Sequence, residues 1–255
     1  MSSAKINGIE LHYQTHGEGE AIVFAHGAGG NLLSWWQQIP FFSQNYKCIV
    51  FDHRGFGHSL DAPDGPGGEA FVDDLRGLLD HLEIESAHLV AQSMGGRTAL
   101  GFALAHPERT RSLLMADTPG GIAEPELADT LMQWREDHAS TIEIGVRALS
   151  SGFQAKRPDM AMLYMQISRT NPPRPASATA GQTDGPMAAD LGKMKTPTLF
   201  IVGDDDELTP PHIIELAAKY VPGARFTRVP EAGHSVYFEK PDVFNFEMNR
   251  FLKSL

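Results

Sequence analysis

The sequence predicts an α/β fold in which a mostly parallel sheet is covered by helices on both faces. Two observations carry this. Short, unbroken apolar runs at 21–25, 48–51, 88–91, 112–116, 198–202 and 225–229 suit strands buried on both faces, because a strand with one wet face would alternate. Segments with helical character lie between or after them, at about 69–82, 94–105, 211–221 and 240–253, and strand–helix alternation implies parallel strands joined by right-handed crossovers. In such sheets ligands sit at the carboxyl ends of the strands. The first element differs: Asn7-Gly8 between Ile6 and Ile9 signals a two-residue hairpin that opens an antiparallel edge.

The alternation breaks once. Between the strands at 112–116 and 198–202 the chain turns helical and loop-like, with Pro119-Gly120-Gly121 near the start and Asn171-Pro172-Pro173-Arg174-Pro175 near the end. This long insertion holds five of the ten methionines, Met132, Met160, Met162, Met165 and Met187, with Trp134, Phe153 and Tyr164. Flexible apolar side chains suit an adaptable pocket, so an apolar lining is expected, although the same residues would also serve to pack helices onto a core. Arg147, Arg157, Arg169 and Arg174 lie in the same insertion. They are expected on the surface, with one turned inward as the alternative.

Composition narrows the function classes. At 255 residues and 42% hydrophobic, the chain can bury one sizeable core with an excursion. A formal charge of -11 argues against a nucleic-acid partner and disfavours an anionic membrane surface. The single cysteine, Cys48, forms no intramolecular disulfide, and its apolar neighbours point to a buried strand position. The first residues lack the apolar core of a signal peptide and no run is long enough for a membrane helix, so a cytoplasmic location is expected. Oligomeric state is left open.

The chemistry concentrates in five places. Leu89-Val90-Ala91-Gln92-Ser93-Met94-Gly95 runs an apolar strand into a serine flanked two residues away by small side chains, the pattern of a strand-to-helix elbow that presents a nucleophile in strained backbone. Gly203-Asp204-Asp205-Asp206 follows the strand at 198–202, and Glu231-Ala232-Gly233-His234-Ser235 comes near the C-terminus. Upstream, His26-Gly27-Ala28-Gly29-Gly30 and Asp52-His53-Arg54-Gly55-Phe56-Gly57-His58 each end a strand in a glycine-rich turn. A serine hydroxyl is a poor nucleophile at neutral pH and needs a base within hydrogen-bond reach, for which His234 is the candidate. No two histidines show the spacing of a metal pair on a helix.

On these five motifs, in their order along the chain, it resembles the α/β-hydrolase superfamily, and within it the small capped serine hydrolases. The resemblance implies an α/β-hydrolase core formed by residues 1–117 and 191–255, with residues 118–190 as a helical cap over the active site. It implies Ser93 as nucleophile, His234 as base and Asp206 as the acid that fixes its tautomer. Asp117, at the end of an earlier strand, is the main rival acid, with Asp204 and Asp205 behind it. The backbone N–H groups of Ala28 and Met94 are expected to form the oxyanion hole. His26, His53 and His58 are expected to shape turns. One position departs from the pattern: Ala91 stands where the elbow's first glycine is usual. A serine at the elbow, rather than an aspartate, removes the dehalogenase and epoxide hydrolase branches. The expected activity is hydrolysis, with no cofactor and no metal, of a small or medium carboxylic ester, lactone or thioester. Cleavage of carbon–carbon bonds in ring-fission diketones is the alternative, although Ser235 replaces that branch's tryptophan after the histidine. A ligand receptor on the same fold is a further alternative.

Overall fold

A computed structural model describes residues 2–173 and 185–255. Its centre is an eight-stranded sheet: β1 (Ser2–Ile6), β2 (Ile9–His16), β3 (Ala21–Ala25), β4 (Lys47–Phe51), β5 (Ala87–Gln92), β6 (Thr110–Ala116), β7 (Thr198–Gly203) and β8 (Arg225–Val229), in the order β1-β2-β4-β3-β5-β6-β7-β8. β1 and β2 are antiparallel to each other, and β2 to β4, while all later pairings are parallel. The Asn7-Gly8 hairpin is present, with Ile6 opposite Ile9 and both turn residues at positive φ (44° and 83°), the backbone that a type I′ turn requires.

The helices are α1 (Ile39–Phe42), α2 (Phe71–His81), α3 (Gly95–Ala105), α4 (Pro125–Asp137), α5 (Ile144–Arg147), α6 (Ser151–Lys156), α7 (Pro158–Arg169), α8 (Ala188–Leu191), α9 (Pro211–Lys219), α10 (Val236–Glu239) and α11 (Pro241–Leu252). Side chains that alternate along the strands feed two separate apolar layers. Val23, Leu89 and Phe200 pack with Leu75, Leu100 and Ile213 of α2, α3 and α9; Phe24, Val90 and Ile201 pack with Phe42, Phe244 and Phe251 of α1 and α11. Every residue of β3, β5 and β7 is buried. β8 is not: its pattern of exposed and half-buried residues ends in one buried valine. The expectation of a buried strand at 225–229 is therefore corrected. β8 is the sheet's edge, where Arg225 and Arg228 face water, and an edge strand needs fewer apolar side chains than a central one.

Helices α4 to α8 leave the sheet between β6 and β7, and polar contacts tie this excursion down. Asn31 donates to the carbonyl of Ile167 (3.1 Å) and to the Thr170 hydroxyl (2.8 Å), and Asn171 donates to the carbonyl of Gly30 (3.2 Å). The Ser150 hydroxyl donates to Glu239 (2.6 Å), and the Trp134 indole N–H donates to the carbonyl of Glu207 (2.9 Å). Of the five methionines, Met160 and Met165 pack against the core and Met162 and Met187 are exposed. Arg174, with Pro175, lies outside the described residues. Cys48 is fully buried, and burial pushes its thiol up to about 12. Among the described residues no helix is long and apolar enough to cross a membrane.

Candidate active site

The elbow forms because the chain must leave β5 and enter α3 with almost no intervening backbone. Ser93 is held at φ 49°, a left-handed conformation for a residue with a Cβ, at a cost on the order of 1–3 kcal/mol that the surrounding packing must offset. Its N–H donates to the carbonyl of Ala116 (3.0 Å), which ties the elbow to the end of β6. Gly95 makes the close approach possible, since a Cβ there would lie 2.3 Å from the carbonyl oxygen of Ala25. The fully buried Ala91 shows that the first elbow position accommodates a methyl.

From Ser93 a chain of hydrogen bonds runs inward. Its Oγ lies 2.8 Å from His234 Nε2, and His234 Nδ1 lies 2.8 Å from Asp206 Oδ2. With Nδ1–H donated to the carboxylate, Nε2 is left to accept from the serine hydroxyl, an assignment that follows from the hydrogen-bond network. Burial pushes the His234 pKa down, but the charge and hydrogen bond of Asp206, with the nearby Asp117 and Glu239 carboxyl groups, together outweigh this, so the imidazole sits above its ordinary value. Asp206 is itself fixed: its Oδ1 accepts from the N–H groups of Leu208 (2.8 Å) and Thr209 (2.9 Å). The structure thus brings together three of the residues singled out from sequence, each from a loop at the carboxyl end of a strand.

The rival acids stand elsewhere. Asp205 is exposed, and Asp204 pairs with Arg228 (2.6 Å). Asp117 is fully buried behind the site, at φ 51°, and its two oxygens accept from the N–H groups of Gly203 and Val236, both at 3.1 Å. Burial and the nearby Asp206 carboxylate raise its pKa well above the usual range.

Ala28, Ser93 and Met94 line the same stretch of cavity wall. The loop carrying Ala28 is closed by the Gly30 N–H donating to the Gly27 carbonyl (2.9 Å). The histidines of the two glycine-rich turns do structural work. His26 Nδ1 lies 2.8 Å from the Gly27 carbonyl, its Nε2 accepts from the N–H of His53 (3.0 Å), and His53 Nε2 meets the Thr98 hydroxyl at 3.0 Å. The His58 N–H donates to Asp52 (2.9 Å). Arg54 in the second turn makes a bidentate pair with buried Asp74 (2.8 and 2.7 Å).

Two partners of the site carried no signal in the sequence. Gln92 donates through Nε2 to the carbonyl of His234 (2.7 Å), pinning the loop of the base from the residue beside the nucleophile. The Thr209 hydroxyl lies 3.0 Å from Asp206 Oδ2, 3.0 Å from the Asp117 carbonyl and 3.2 Å from His234 Nδ1. Each would have needed a prior assignment of the histidine and acid to be noticed.

Ser93 opens onto a cavity of two lobes, of about 510 and 650 Å³, that share Ala28, Ser93, Arg135 and Thr209. His234, Tyr164 and Ile144 line the first lobe; Met94, Ile122, Leu127 and Leu131 line the second. The expectation of an apolar cavity holds only in part. Met132 is the one of the five methionines that lines either lobe, and guanidinium groups interrupt the apolar wall. Of the four arginines considered from sequence, Arg147 lines the first lobe and ion-pairs with Glu207 (3.5 Å), Arg157 pairs with Asp159 and is exposed, as is Arg169, and Arg174 lies outside the described residues. Arg97 and Arg135, not anticipated, also line the cavity. Among the described residues no group of three His, Cys, Asp or Glu side chains could hold a metal ion.

Comparison with known proteins agrees with this architecture. The family described as the alpha/beta hydrolase fold matches residues 20–241, and the chain belongs to that family. A Mycobacterium tuberculosis protein that carries a provisional non-heme bromoperoxidase name, BpoC, is 30% identical over 97% of this chain and 99% of its own length. The 2-hydroxy-6-oxo-6-phenylhexa-2,4-dienoate hydrolase of Comamonas testosteroni is 29% identical over 96% of this chain and 92% of its own. Among solved structures, a thermophilic esterase from Thermogutta terrifontis superposes with a TM-score of 0.85 at 28% identity, covering 100% of this chain and 99% of that one.

Proposed function

We propose that the protein is a serine hydrolase that cleaves a small or medium carboxylic ester, lactone or thioester through an acyl-enzyme on Ser93. The observation that carries this reading is the continuous hydrogen-bonded chain from Ser93 Oγ through His234 to Asp206 at the floor of a cavity. In the first half-reaction Ser93 Oγ bonds to the carbonyl carbon while its proton passes to His234 Nε2. The carbonyl oxygen becomes an oxyanion beside the backbone N–H groups of Ala28 and Met94. As the tetrahedral centre collapses, the bond to the leaving oxygen or sulfur breaks, and that atom takes the proton from His234. Water then attacks the acyl-enzyme by the same route in reverse and frees the acid. Residues 118–190, which hold α4 to α7 and most of α8, are read as the cap that shapes the cavity.

A second reading, carbon–carbon cleavage of a ring-fission diketone, is supported by the Comamonas testosteroni relative. It is weakened by Ser235, whose hydroxyl donates to Tyr164 (3.0 Å) and so occupies the position after the base with a cap-anchoring contact. A fluorophosphonate label and a panel of nitrophenyl esters, thioesters and ring-fission diketones separate these readings. Ser93-dependent turnover of the esters supports the first, turnover of the diketones alone supports the second, and multiple turnovers of any of them exclude a receptor.

A further inference from the structure

We infer that the buried hydroxyl of Tyr164 is a hydrogen-bond donor to the leaving group, so that the first lobe selects an alcohol or thiol part carrying an uncharged oxygen acceptor. This rests on the hydrolase reading above, whose chemistry places the leaving group. The leaving atom receives its proton from His234, and His234 lines the first lobe but not the second. Tyr164 lines that same lobe, with Ser93 and Gly29.

The donor is identified by counting hydrogens. Tyr164, in α7, is 8% exposed, and Ser235, next to the base, is fully buried. Their hydroxyls meet at 3.0 Å, and among the described residues neither hydroxyl has another hydrogen-bond partner. Two hydroxyls carry two hydrogens, and the bond between them uses one. If Tyr164 donated, the spare hydrogen would be that of Ser235, which lines neither lobe and would be left with an unmade bond in the core. With Ser235 donating, the spare hydrogen is that of Tyr164, whose oxygen lies at the cavity wall: a Cβ built on Gly29 would stand 3.9 Å from it. The ring is held edge-on against Phe238, with 5.1 Å between ring centroids. Burial pushes the phenol pKa up to about 12 against the pull of the Ser235 bond, and the Glu239, Asp117 and Asp206 carboxyl groups add to the rise. The phenol is therefore a donor at every working pH. The same carboxyl groups disfavour an anion at its tip, and Arg147 in this lobe already faces Glu207. The partner that suits it is an ether, hydroxyl or carbonyl oxygen on the departing alcohol or thiol. A plain alkyl leaving group would cover the hydrogen without pairing it.

The test compares kcat/KM for 2-methoxyethyl butanoate with that for butyl butanoate, and for 3-methoxypropyl butanoate with that for pentyl butanoate. Within each pair an ether oxygen replaces a methylene at constant length. Each ratio is divided by the ratio of the two alkaline hydrolysis rates, which removes the intrinsic difference in leaving ability. In the parent at least one corrected ratio should exceed one by about two- to tenfold, the effect of one neutral hydrogen bond. Tyr164→Phe should return it to about one, whereas Ser235→Ala, which removes the contact but leaves the phenol its hydrogen, should retain the excess. Corrected ratios of about one in the parent for both pairs, or an excess that survives in Tyr164→Phe, overturn the donor while leaving the hydrolase intact. An excess lost equally in Ser235→Ala makes Tyr164 a strut for the loop of the base and overturns the donor as well. If Tyr164→Phe is unstable, parent ratios at or below one still overturn the proposal, and an excess kept in Ser235→Ala still supports it. Calorimetry on Ser93→Ala separates the two readings. Tighter binding of 2-methoxyethyl butanoate than of butyl butanoate, lost when Tyr164→Phe is added and with no hydrolysis by the parent, supports the donor and defeats the hydrolase reading instead.

Discussion

Asp206→Asn should reduce turnover by about 10⁴, or about 5.5 kcal/mol of transition-state stabilisation, through the tautomer of His234 rather than through loss of the fold. The geometry sets the direction of the effect. Asp206 Oδ1 accepts two backbone N–H groups, from Leu208 and Thr209, at 2.8 and 2.9 Å. An asparagine keeps those bonds only by placing its carbonyl oxygen there, which turns its NH₂ toward His234 Nδ1. A donor at that position makes Nδ1 the acceptor and moves the ring proton to Nε2, the atom that must take the proton of Ser93. The backbone bonds to Oδ1 survive, so thermal stability should change little. The assay is kcat for a nitrophenyl ester together with the melting temperature, run beside Asp117→Asn. The latter should show the opposite profile. One of its two backbone partners, Gly203 or Val236, would face an NH₂ instead of an acceptor, a loss of about 1–3 kcal/mol of stability with a smaller effect on turnover. A fall of less than about tenfold for Asp206→Asn, or a larger kinetic loss for Asp117→Asn, would refute this reasoning and move the acid to the end of β6.

The other predictions are more direct. Ser93→Ala should fold normally and lose nearly all hydrolysis and fluorophosphonate labelling; activity within tenfold of the parent would remove Ser93 from the mechanism. Because burial lowers the His234 pKa but Asp206 raises it further, kcat/KM should rise with pH through a limb above the ordinary histidine value, and Asp206→Asn should move that limb down; an unmoved limb would belong to another group. Burial outweighs the hydrogen bonds to Glu239 and raises its carboxyl from 4.5 to about 7, so its contribution to stability is complete below the unfolded value and is lost as pH rises through about 7. The native protein should accordingly lose up to about 3 kcal/mol between those limits that Glu239→Gln does not lose, and parallel melting curves for the two proteins across pH 4 to 8 would contradict this. Gly95→Ala should be strongly destabilised, because its Cβ would meet the Ala25 carbonyl at 2.3 Å; a melting temperature equal to the parent's would show that strand and helix can separate without penalty.

What could be read from the sequence follows from where structure is locally determined. Strands β3, β5 and β7 were legible because burial on both faces leaves an unbroken apolar run, whereas β8 looked alike from its Val, Phe and Thr but sits at the edge, a fact of sheet order that no local pattern encodes. Ser93 and the Asn7-Gly8 turn announced themselves because positive φ demands small or special neighbours. His234 and Asp206 followed from their order along the chain. The cavity wall did not. Arg97 and Arg135 line the cavity from two different helices, α3 and α4, and on each helix taken alone an arginine reads as an ordinary surface residue. Composition leaves the five methionines open between cavity lining and helix packing, and four of them belong to packing or to solvent. Short helices such as α5, with four residues, present too few turns for their inward face to show as a period.

The rival acid clarifies why this end of the sheet holds two buried carboxylates. Asp117 bridges Gly203 at the end of β7 and Val236 just after His234, so the two loops that carry the acid and the base are fastened to one carboxyl group from β6. Thr209 completes the frame by touching the Asp117 carbonyl, Asp206 and His234. Glu239 does a similar job from the other side, accepting from the N–H of Gly233 (3.0 Å) and from Ser150 of the helical excursion. A base that must stay within about 3 Å of its nucleophile needs its backbone fixed as well as its side chain. Gln92 holds the carbonyl of His234, Glu239 the N–H of Gly233 before it, and Asp117 the N–H of Val236 two residues after it. Their burial sets the cost of losing any one of them in stability first, and only then, through a displaced imidazole, in rate.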